Sequence, residues 1–260
     1  LLLVMASVGL RTFRSEPGCR KIVAWLALTP CAYFTIALTI NAQIGFRHLL
    51  PMMPFVITLA GLAGGWLLKQ GRQGRLTLGF LCLMQGISVA GAHPHQLAYF
   101  NMAAGGPSEG HTYLVDSNLD WGQALPQLAE RVEELGDPPL ILSYFGVDDP
   151  HYYGIRYVPL GTGTHVSRRG DPLRWQAGDP VWFAIGATNL HSVYFRNKET
   201  FAWLLPLRPD AHAGHAIHLY ELTQYPDALL SLRELLTEVG SHETAAQLEQ
   251  ILEEHSQSPH

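Results

Sequence analysis

Two short stretches of the sequence carry side chains that could bind a polar ligand. The first is Arg47-His48, which is followed by Leu49-Leu50-Pro51. A guanidinium can bind two phosphate oxygens at once, so Arg47, with His48 beside it, could hold a phosphate group. The alternative is an interfacial anchor, in which Arg47 contacts ordinary lipid headgroups at the end of a membrane helix. Spacing alone favours the anchor.

The second stretch is the loop from Asp116 to Gln123, which reads Asp-Ser-Asn-Leu-Asp-Trp-Gly-Gln. Its oxygen side chains, Asp116, Asn118 and Asp120, stand at alternate positions and are followed by Trp121. Such alternation is typical of a calcium loop, but the glycine is seventh rather than sixth and the twelfth residue is glutamine, which excludes an EF-hand. Two interpretations remain: a polar site at the C-terminal end of a strand, or a turn with a helix N-cap.

The sequence contains 13 histidines but no metal-binding motif. His93 and His95 flank a proline, whereas His215 and His218 are three residues apart on a predicted strand and therefore face opposite sides of it. The His-Glu-x-x-His, Gly-x-Ser-x-Gly and phosphate-loop patterns do not occur. We predict scattered histidines without a metal site. The sequence identifies no cofactor and leaves dependence on a divalent metal open.

These candidate residues belong to two unlike parts of the chain. Of its 260 residues 47% are hydrophobic and 15% are charged, and such a low charged content excludes a disordered or coiled-coil protein. Residues 1–92 carry eight basic residues and one acidic residue, a net charge of +7, whereas residues 93–260 carry nine basic and 21 acidic residues, a net charge of −12. This split indicates a membrane region joined to a soluble domain. No basic aromatic patch suited to nucleic acid occurs.

The first part contains three runs that could cross a bilayer. Residues 22–40 are a run of 19 residues without a charged side chain. As a helix, this run matches the length of the roughly 30 Å hydrocarbon core. Residues 49–68 and 76–92 are the second and third runs. Residues 1–10 are also apolar but cover only about half a bilayer, so we interpret them as the end of a helix that begins upstream in a larger membrane protein. Buried core helices of a soluble protein are the disfavoured alternative.

The loops between these runs set the predicted orientation. Loops 11–21 and 69–75 carry four and three basic residues, whereas loop 41–48 carries only Arg47 and a histidine. The positive-inside rule places the first two loops in the cytoplasm, and by alternation loop 41–48 and residues 93–260 lie on the outer face. All three cysteines precede residue 93, so the outer part is expected to fold without disulfides.

Residues 93–223 are predicted to form a mixed α/β outer domain, and residues 224–260 a C-terminal helical hairpin. An amphipathic helix is predicted to begin near Leu125 and to end at Gly136, and a second helix to span residues 188–205. Two further apolar stripes separated by a glycine make up the hairpin. The predicted strands are residues 112–115, 140–145, 181–187 and 216–222.

Several stretches together resemble a known family, the bacterial membrane glycosyltransferases of family 39, of the protein O-mannosyltransferase and aminoarabinose-transferase type and the GT-C class. The likeness is to the C-terminal part of these enzymes and covers roughly residues 40 to 222, with the string from Asp116 to Gln123 as its most specific element. Ala124-Leu125-Pro126 departs from the acidic, leucine, basic sequence usual at that point. The stretches that carry the resemblance are residues 44–51, 93–107, 113–123, 143–146, 152–154 and 187–190.

The resemblance implies a multi-pass enzyme of the bacterial cytoplasmic (inner) membrane that transfers a sugar from a polyprenyl-phosphate donor to an acceptor on the outer face. The principal catalytic carboxylate of that family is expected upstream of residue 1. Arg47 and His48 would hold the donor phosphate. The implied partners are the lipid-linked sugar, the bilayer and an acceptor of unknown identity. A non-catalytic, membrane-anchored module that binds a glycan or a protein is the alternative.

The same resemblance gives the loop residues two candidate roles. Asp116, Asn118, Asp120 and Trp121 would either bind sugar hydroxyls or orient the outer domain over the reaction cleft.

Overall fold

The computed structural model describes residues 1–14, 18–39, 45–160, 170–176 and 178–257. Within it the chain divides into two compact units, Leu1–Gln96 and Leu97–His260.

Helices make up the first unit. They are α1 (Leu2–Phe13), α2 (Arg20–Ala37), α3 (Met53–Lys69) and α4 (Gly71–Ala90), with a 3-10 helix, Phe46–Met52, leading directly into α3. Helix α3 contacts the other three. It approaches α1 closely at Gly9, where a β-carbon would collide with the carbonyl oxygen of Leu59. Small residues such as Gly9 and the buried Ala63 let the two backbones come together.

One helix among the described residues is long and apolar enough to cross a membrane. It is Phe46–Lys69, whose most apolar window has a mean hydropathy of 1.6 and which contains the predicted run 49–68. The other two predicted spans do not reach this standard, because α2 begins on Arg20-Lys21 and α4 has Arg72 and Arg75 in its first turns. Residue 40, the end of the first predicted run, lies outside the described residues.

A mixed five-stranded sheet forms the centre of the second unit, so the predicted α/β class is confirmed. Its order is β2-β1-β3-β5-β4, with β1 parallel to both β2 and β3, and with β5 antiparallel to both β3 and β4. The strands are β1 (Leu140–Ser143), β2 (Val158–Pro159), β3 (Trp182–Gly186), β4 (Ala211–Ala213) and β5 (Ile217–Glu221).

Helices cover both faces of this sheet. They are α5 (Leu125–Glu134), α6 (Ala187–Leu190), α7 (Pro226–Glu238) and α8 (His242–Gln257). Alternate strand residues point to opposite faces. Leu140 and Leu142 pack with α5, whereas Ile141 and Phe183 pack with the pair α7 and α8. The C-terminal hairpin therefore shares a hydrophobic core with the sheet.

Most of the predicted elements of this unit are present. Helix α5 begins at Leu125, as predicted, and strands β1, β3 and β5 fall within the predicted runs 140–145, 181–187 and 216–222. The pair α7 and α8 confirms the predicted hairpin.

Two predicted elements are wrong. Residues 112–115 are not a strand, because Gly106 with φ +78° and Pro107 start a 3-10 helix, Pro107–Thr112, that leads into a turn. Residues 188–205 are not one helix. Helix α6 stops after one turn, and Ser192 follows with φ +51°, a left-handed conformation that cannot continue a right-handed helix.

The two neighbouring leucines of α7 allow a matched test of the shared core. Leu229 is fully buried, whereas Leu230 is 43% exposed. Leu229→Ala should lower the free energy of unfolding by about 2–4 kcal/mol, because the removed methyl groups leave a cavity between α7 and the sheet. Leu230→Ala should change it by less than about 0.5 kcal/mol. Urea unfolding of the detergent-solubilised chain measures both, and equal effects would contradict the packing described.

Candidate functional site

The loop Asp116–Gln123 lies at the C-terminal ends of the parallel strands β1 and β3. The backbone N–H of Asp116 donates to Oγ1 of Thr188, just after β3, over 2.8 Å. The hydroxyl of Tyr194 donates to Oδ2 of Asp116 over 2.6 Å. The ring of Tyr194 stacks on Phe145, just after β1, with 5.1 Å between the ring centroids. Asp116 is thus tied to both strand ends, the edge of an α/β sheet where ligands commonly bind.

Asp120 is the buried carboxyl of this loop, with only 5% of its surface exposed. Its Oδ1 accepts the backbone N–H of Gly122 over 2.8 Å and that of Ala124 over 3.4 Å. Its Oδ2 is buried and has no hydrogen-bond partner within the described part of the chain. Burial raises the pKa of Asp120 to about 6, although the backbone N–H donors favour the charged form.

Three more side chains surround the same point. Gly122 has φ +118°, and a β-carbon on it would lie 2.8 Å from the hydroxyl of Tyr144 and 2.9 Å from Oδ2 of Asp148. The Tyr144 hydroxyl is buried and also lacks a partner among the described residues. Burial, followed by the charges of Asp120 and Asp148, raises its pKa. Tyr153 hydrogen-bonds to Asp148. We call Asp120, Tyr144, Asp148 and Tyr153 the acidic cluster.

The remaining polar residues of the loop hold its shape. The Asn118 side-chain amide donates to the carbonyl of Val115 over 2.9 Å. The side chain of Gln123 accepts the backbone N–H of Trp121 over 2.7 Å and donates to the carbonyl of Leu119 over 2.6 Å. The stretch is therefore a turn ahead of α5 that lies at the ends of β1 and β3. It does not follow a strand 112–115, and Ala124 at the start of α5 provides no side-chain N-cap, so neither sequence interpretation holds in full.

The acidic cluster has the chemistry of a site for a ligand rich in hydroxyl groups. A carboxyl whose pKa is near 6 can accept or donate a proton near neutral pH, and carboxylates accept hydrogen bonds from hydroxyls. Aromatic rings stand nearby. Tyr152 is exposed and makes an edge contact with Tyr153, and Trp121, which adjoins Gly122, is half exposed. Ring faces attract the slightly positive C–H groups of a sugar.

Arg47 and His48 belong to the first unit and lie in its 3-10 helix, Phe46–Met52. The guanidinium of Arg47 is exposed and makes no hydrogen bond or ion pair with any described residue. The carbonyl of His48 accepts the hydroxyl of Tyr33 over 2.8 Å, which ties this turn to α2.

A cluster of four imidazoles is the feature that the sequence interpretation missed. We call His111, His191, His212 and His218 the histidine cluster. Nδ1 of His111 lies 3.2 Å from Nε2 of His191, and the Nδ1 atoms of His212 and His218 lie 3.1 Å apart. The rings of His111 and His218 are 4.7 Å apart. His212 and His218 are register partners of β4 and β5, a pairing that spacing along the chain cannot reveal because β4 was not predicted.

Burial keeps these imidazoles neutral. His218 is 2% exposed, and its Nε2 has no hydrogen-bond partner among the described residues. Burial, together with the neighbouring imidazoles, lowers the pKa of His218 to about 3. Burial also lowers the pKa of His111, His191 and His212. Across the described ranges, no group of three or more His, Cys, Asp or Glu side chains is arranged to hold a metal ion.

Comparison of the chain with family models, with curated proteins and with solved structures finds no match.

The raised pKa of Asp120 predicts a stabilising substitution. A carboxyl with a folded pKa of about 6 and an ordinary value of 3.8 stabilises the fold fully below 3.8, and this contribution is lost as the pH rises through 6. Asp120→Asn keeps an acceptor for the two backbone N–H groups and removes the buried charge. It should raise the free energy of unfolding by about 2 kcal/mol at about pH 8 and by about half as much at about pH 5. Urea unfolding at both pH values measures this, with the exposed Asp137→Asn as control. A lower stability of Asp120→Asn at the higher pH would contradict the assignment.

The lowered pKa of His218 predicts the opposite pH dependence. An imidazole with a folded pKa of about 3 and an ordinary value of 6.5 stabilises the fold fully above 6.5, and the contribution falls as the pH drops towards 3. The loss should reach about 1.4 kcal/mol per pH unit. His218→Asn, whose amide can still meet His212, should flatten this slope whatever its own stability. The exposed His242→Gln is the control. The measurement is the change of the urea midpoint with pH between about pH 7.5 and about pH 5. An unchanged slope in His218→Asn would show that another group causes the acid sensitivity.

Proposed function

We propose that the chain is the C-terminal part of a bacterial membrane glycosyltransferase that transfers a sugar from a polyprenyl-phosphate donor to an acceptor at the outer face of the cytoplasmic membrane. One observation carries most of the support. The stretch Asp116–Gln123, the most specific part of the resemblance to family 39, contributes a buried carboxyl with an unpartnered oxygen at the C-terminal ends of parallel strands.

The surface of the first unit supports its place in a bilayer. Helices α2 and α4 turn large apolar side chains outwards, and apolar surface on this scale marks contact with a lipid or a partner rather than with water. In the proposed topology α2, the helix Phe46–Lys69 and α4 each cross the membrane, and α1 is part of a fourth span. The exposed apolar side chains are Ile22, Trp25, Leu28, Phe34 and Ile36 of α2, and Leu76, Phe80, Leu83, Met84, Ile87 and Val89 of α4.

Arg47 is the proposed contact of the donor phosphate, with His48 beside it. It lies in the first turn of the helix Phe46–Lys69, where backbone N–H groups without intrahelical partners favour an anion. Its guanidinium is exposed and unpaired among the described residues. In sugar transfer the bond between the sugar and the phosphate breaks, and negative charge develops on the leaving phosphate. A guanidinium in contact with that phosphate stabilises this charge.

The acidic cluster is the proposed contact of the outer unit with sugar hydroxyls. Asp120 and Asp148 can accept hydrogen bonds from hydroxyl groups, and Trp121 can stack on a sugar ring. Asp116 and Asn118 position the loop through their contacts with Tyr194 and Val115.

A binding module without chemistry is the second candidate. It is favoured by the fact that the acidic cluster and a complete hydrophobic core both belong to the second unit. The two functions differ in their need for Arg47, because a module that only binds a glycan through the acidic cluster needs no phosphate contact.

Substitution of Arg47 in the complete enzyme tests the transferase. Arg47→Ala should lower the transfer rate from a defined polyprenyl-phosphate sugar by about 100-fold or more, because the leaving phosphate loses a charged contact. Arg47→Lys should retain part of the rate, since the charge remains and the two-point contact is lost.

The control for this test is Arg72→Ala, a change of the same type on an exposed arginine of α4. It should leave transfer unchanged. If Arg47→Ala transfers sugar at the normal rate, Arg47 is an interfacial anchor, and if the complete unaltered protein transfers none, the binding module is the better interpretation.

A further inference from the structure

Three contacts join the same two segments of the second unit. One segment leads from the 3-10 helix Pro107–Thr112 into the loop, and the other follows β3. His111 meets His191 over 3.2 Å, the Asp116 N–H meets Thr188 over 2.8 Å, and Tyr194 meets Asp116 over 2.6 Å. His111 precedes Asp116 by five residues on the first segment, and His191 lies between Thr188 and Tyr194 on the second.

We propose that the pair His111 and His191 is a proton-sensitive clamp that positions the loop Asp116–Gln123 on the strand ends and releases it when both imidazoles carry a proton. Both histidines are positioning residues, because none of their described contacts is with the acidic cluster. Only the role of the loop in binding a ligand rests on the proposed function, and the clamp itself does not depend on it.

The number of protons on the two imidazoles decides whether the contact between His111 and His191 stays closed. When both rings are neutral, one N–H donates to the lone pair of the facing nitrogen over 3.2 Å. One added proton is tolerated, because an imidazolium N–H still has a neutral acceptor opposite. A second proton places two N–H donors and two positive charges face to face, and the contact must open.

The surroundings of the pair oppose the second proton. Among the described residues, Glu109, on the same 3-10 helix, is the group that favours a positive charge on His111. The sheet presents His218 and His212 to the pair, and burial lowers the pKa of His191. The next groups are also basic: His215 acts on His218, and Arg131 of α5 acts on His212. Each proton that enters this group therefore repels the next, so the second proton binds only at a lower pH than the first.

Burial places the release on the acid side of neutrality. It lowers the pKa of His111 and of His191 from the ordinary 6.5, so both rings are neutral at neutral pH. In the proposed topology the second unit faces the outside of the cytoplasmic membrane, where no cytoplasmic buffer fixes the pH. Acidification of that side would then withdraw the loop from the site.

Amide hydrogen exchange of the loop tests the clamp without a ligand. The full chain in detergent is labelled at about pH 5 and at about pH 7.5, the rates are corrected for intrinsic exchange, and peptides that cover Asp116–Gln123 are compared with peptides from β3. In the unaltered chain the loop should lose at least about tenfold of its protection at the lower pH, and β3 reports the loss that the titration of His218 causes throughout the unit.

The decisive variant is the double substitution His111→Asn with His191→Gln. The asparagine amide replaces Nδ1 and the glutamine amide replaces Nε2, so a hydrogen bond can form but neither group titrates. At about pH 5 its loop should keep at least about tenfold more protection than the loop of the unaltered chain, because the titrations of Asp120 and His218 are the same in both. His242→Gln, an exposed histidine of α8, should behave like the unaltered chain.

Two results would overturn the clamp. If loop protection is the same at both pH values in the unaltered chain, no release occurs. If the double variant loses protection to the same extent, the cause is another group, with His218 as the first candidate. Failure of sugar transfer in the complete enzyme would remove the proposed function and leave the exchange result intact, because the exchange measurement contains no sugar.

Discussion

The parallel pairing of β1 with β3 is the contact on which the rest of the second unit depends. Its register sets Leu140 opposite Trp182 and Ile141 opposite Phe183, so each pair supplies a different face of the sheet. A slip of one residue would exchange the α5 face with the face that packs on α7 and α8. The same register sets Tyr144 and Thr188 just beyond adjacent strand ends, so the core and the candidate site are fixed by one set of hydrogen bonds.

Two buried ionisable groups in this unit give its stability opposite dependences on pH. Burial disfavours the charged form of Asp120, so the free energy of unfolding falls as the pH rises. Burial also disfavours the charged form of His218, so the free energy of unfolding falls as the pH drops. Apolar residues of similar size would avoid both costs. Buried ionisable groups of this kind are common where binding or catalysis needs a polar group held away from water, which is the role proposed for the acidic cluster.

Local patterns explain how much of this could be predicted from the sequence. The stripe of apolar residues in α5 and the apolar runs of β1, β3 and β5 are local signals, and these elements form as predicted. Strands β2 and β4 are two and three residues long and exist only through pairing with a neighbour. The contact between His212 and His218 depends on that pairing, and the contact between His111 and His191 joins segments 80 residues apart, so no local pattern could reveal the histidine cluster.

The charged first turns of α2 and α4 fit the proposed membrane topology better than a soluble bundle. In the proposed topology both helices would begin on the cytoplasmic side, where Arg20, Lys21, Arg72 and Arg75 could extend to the headgroups while the following turns lie in lipid. A bundle in water would need polar residues along the outward faces of α2 and α4, yet these faces carry Trp25 and similarly large apolar side chains. Charge confined to one end and apolar residues along the remaining exposed face are the arrangement that the proposed topology needs in α2 and α4.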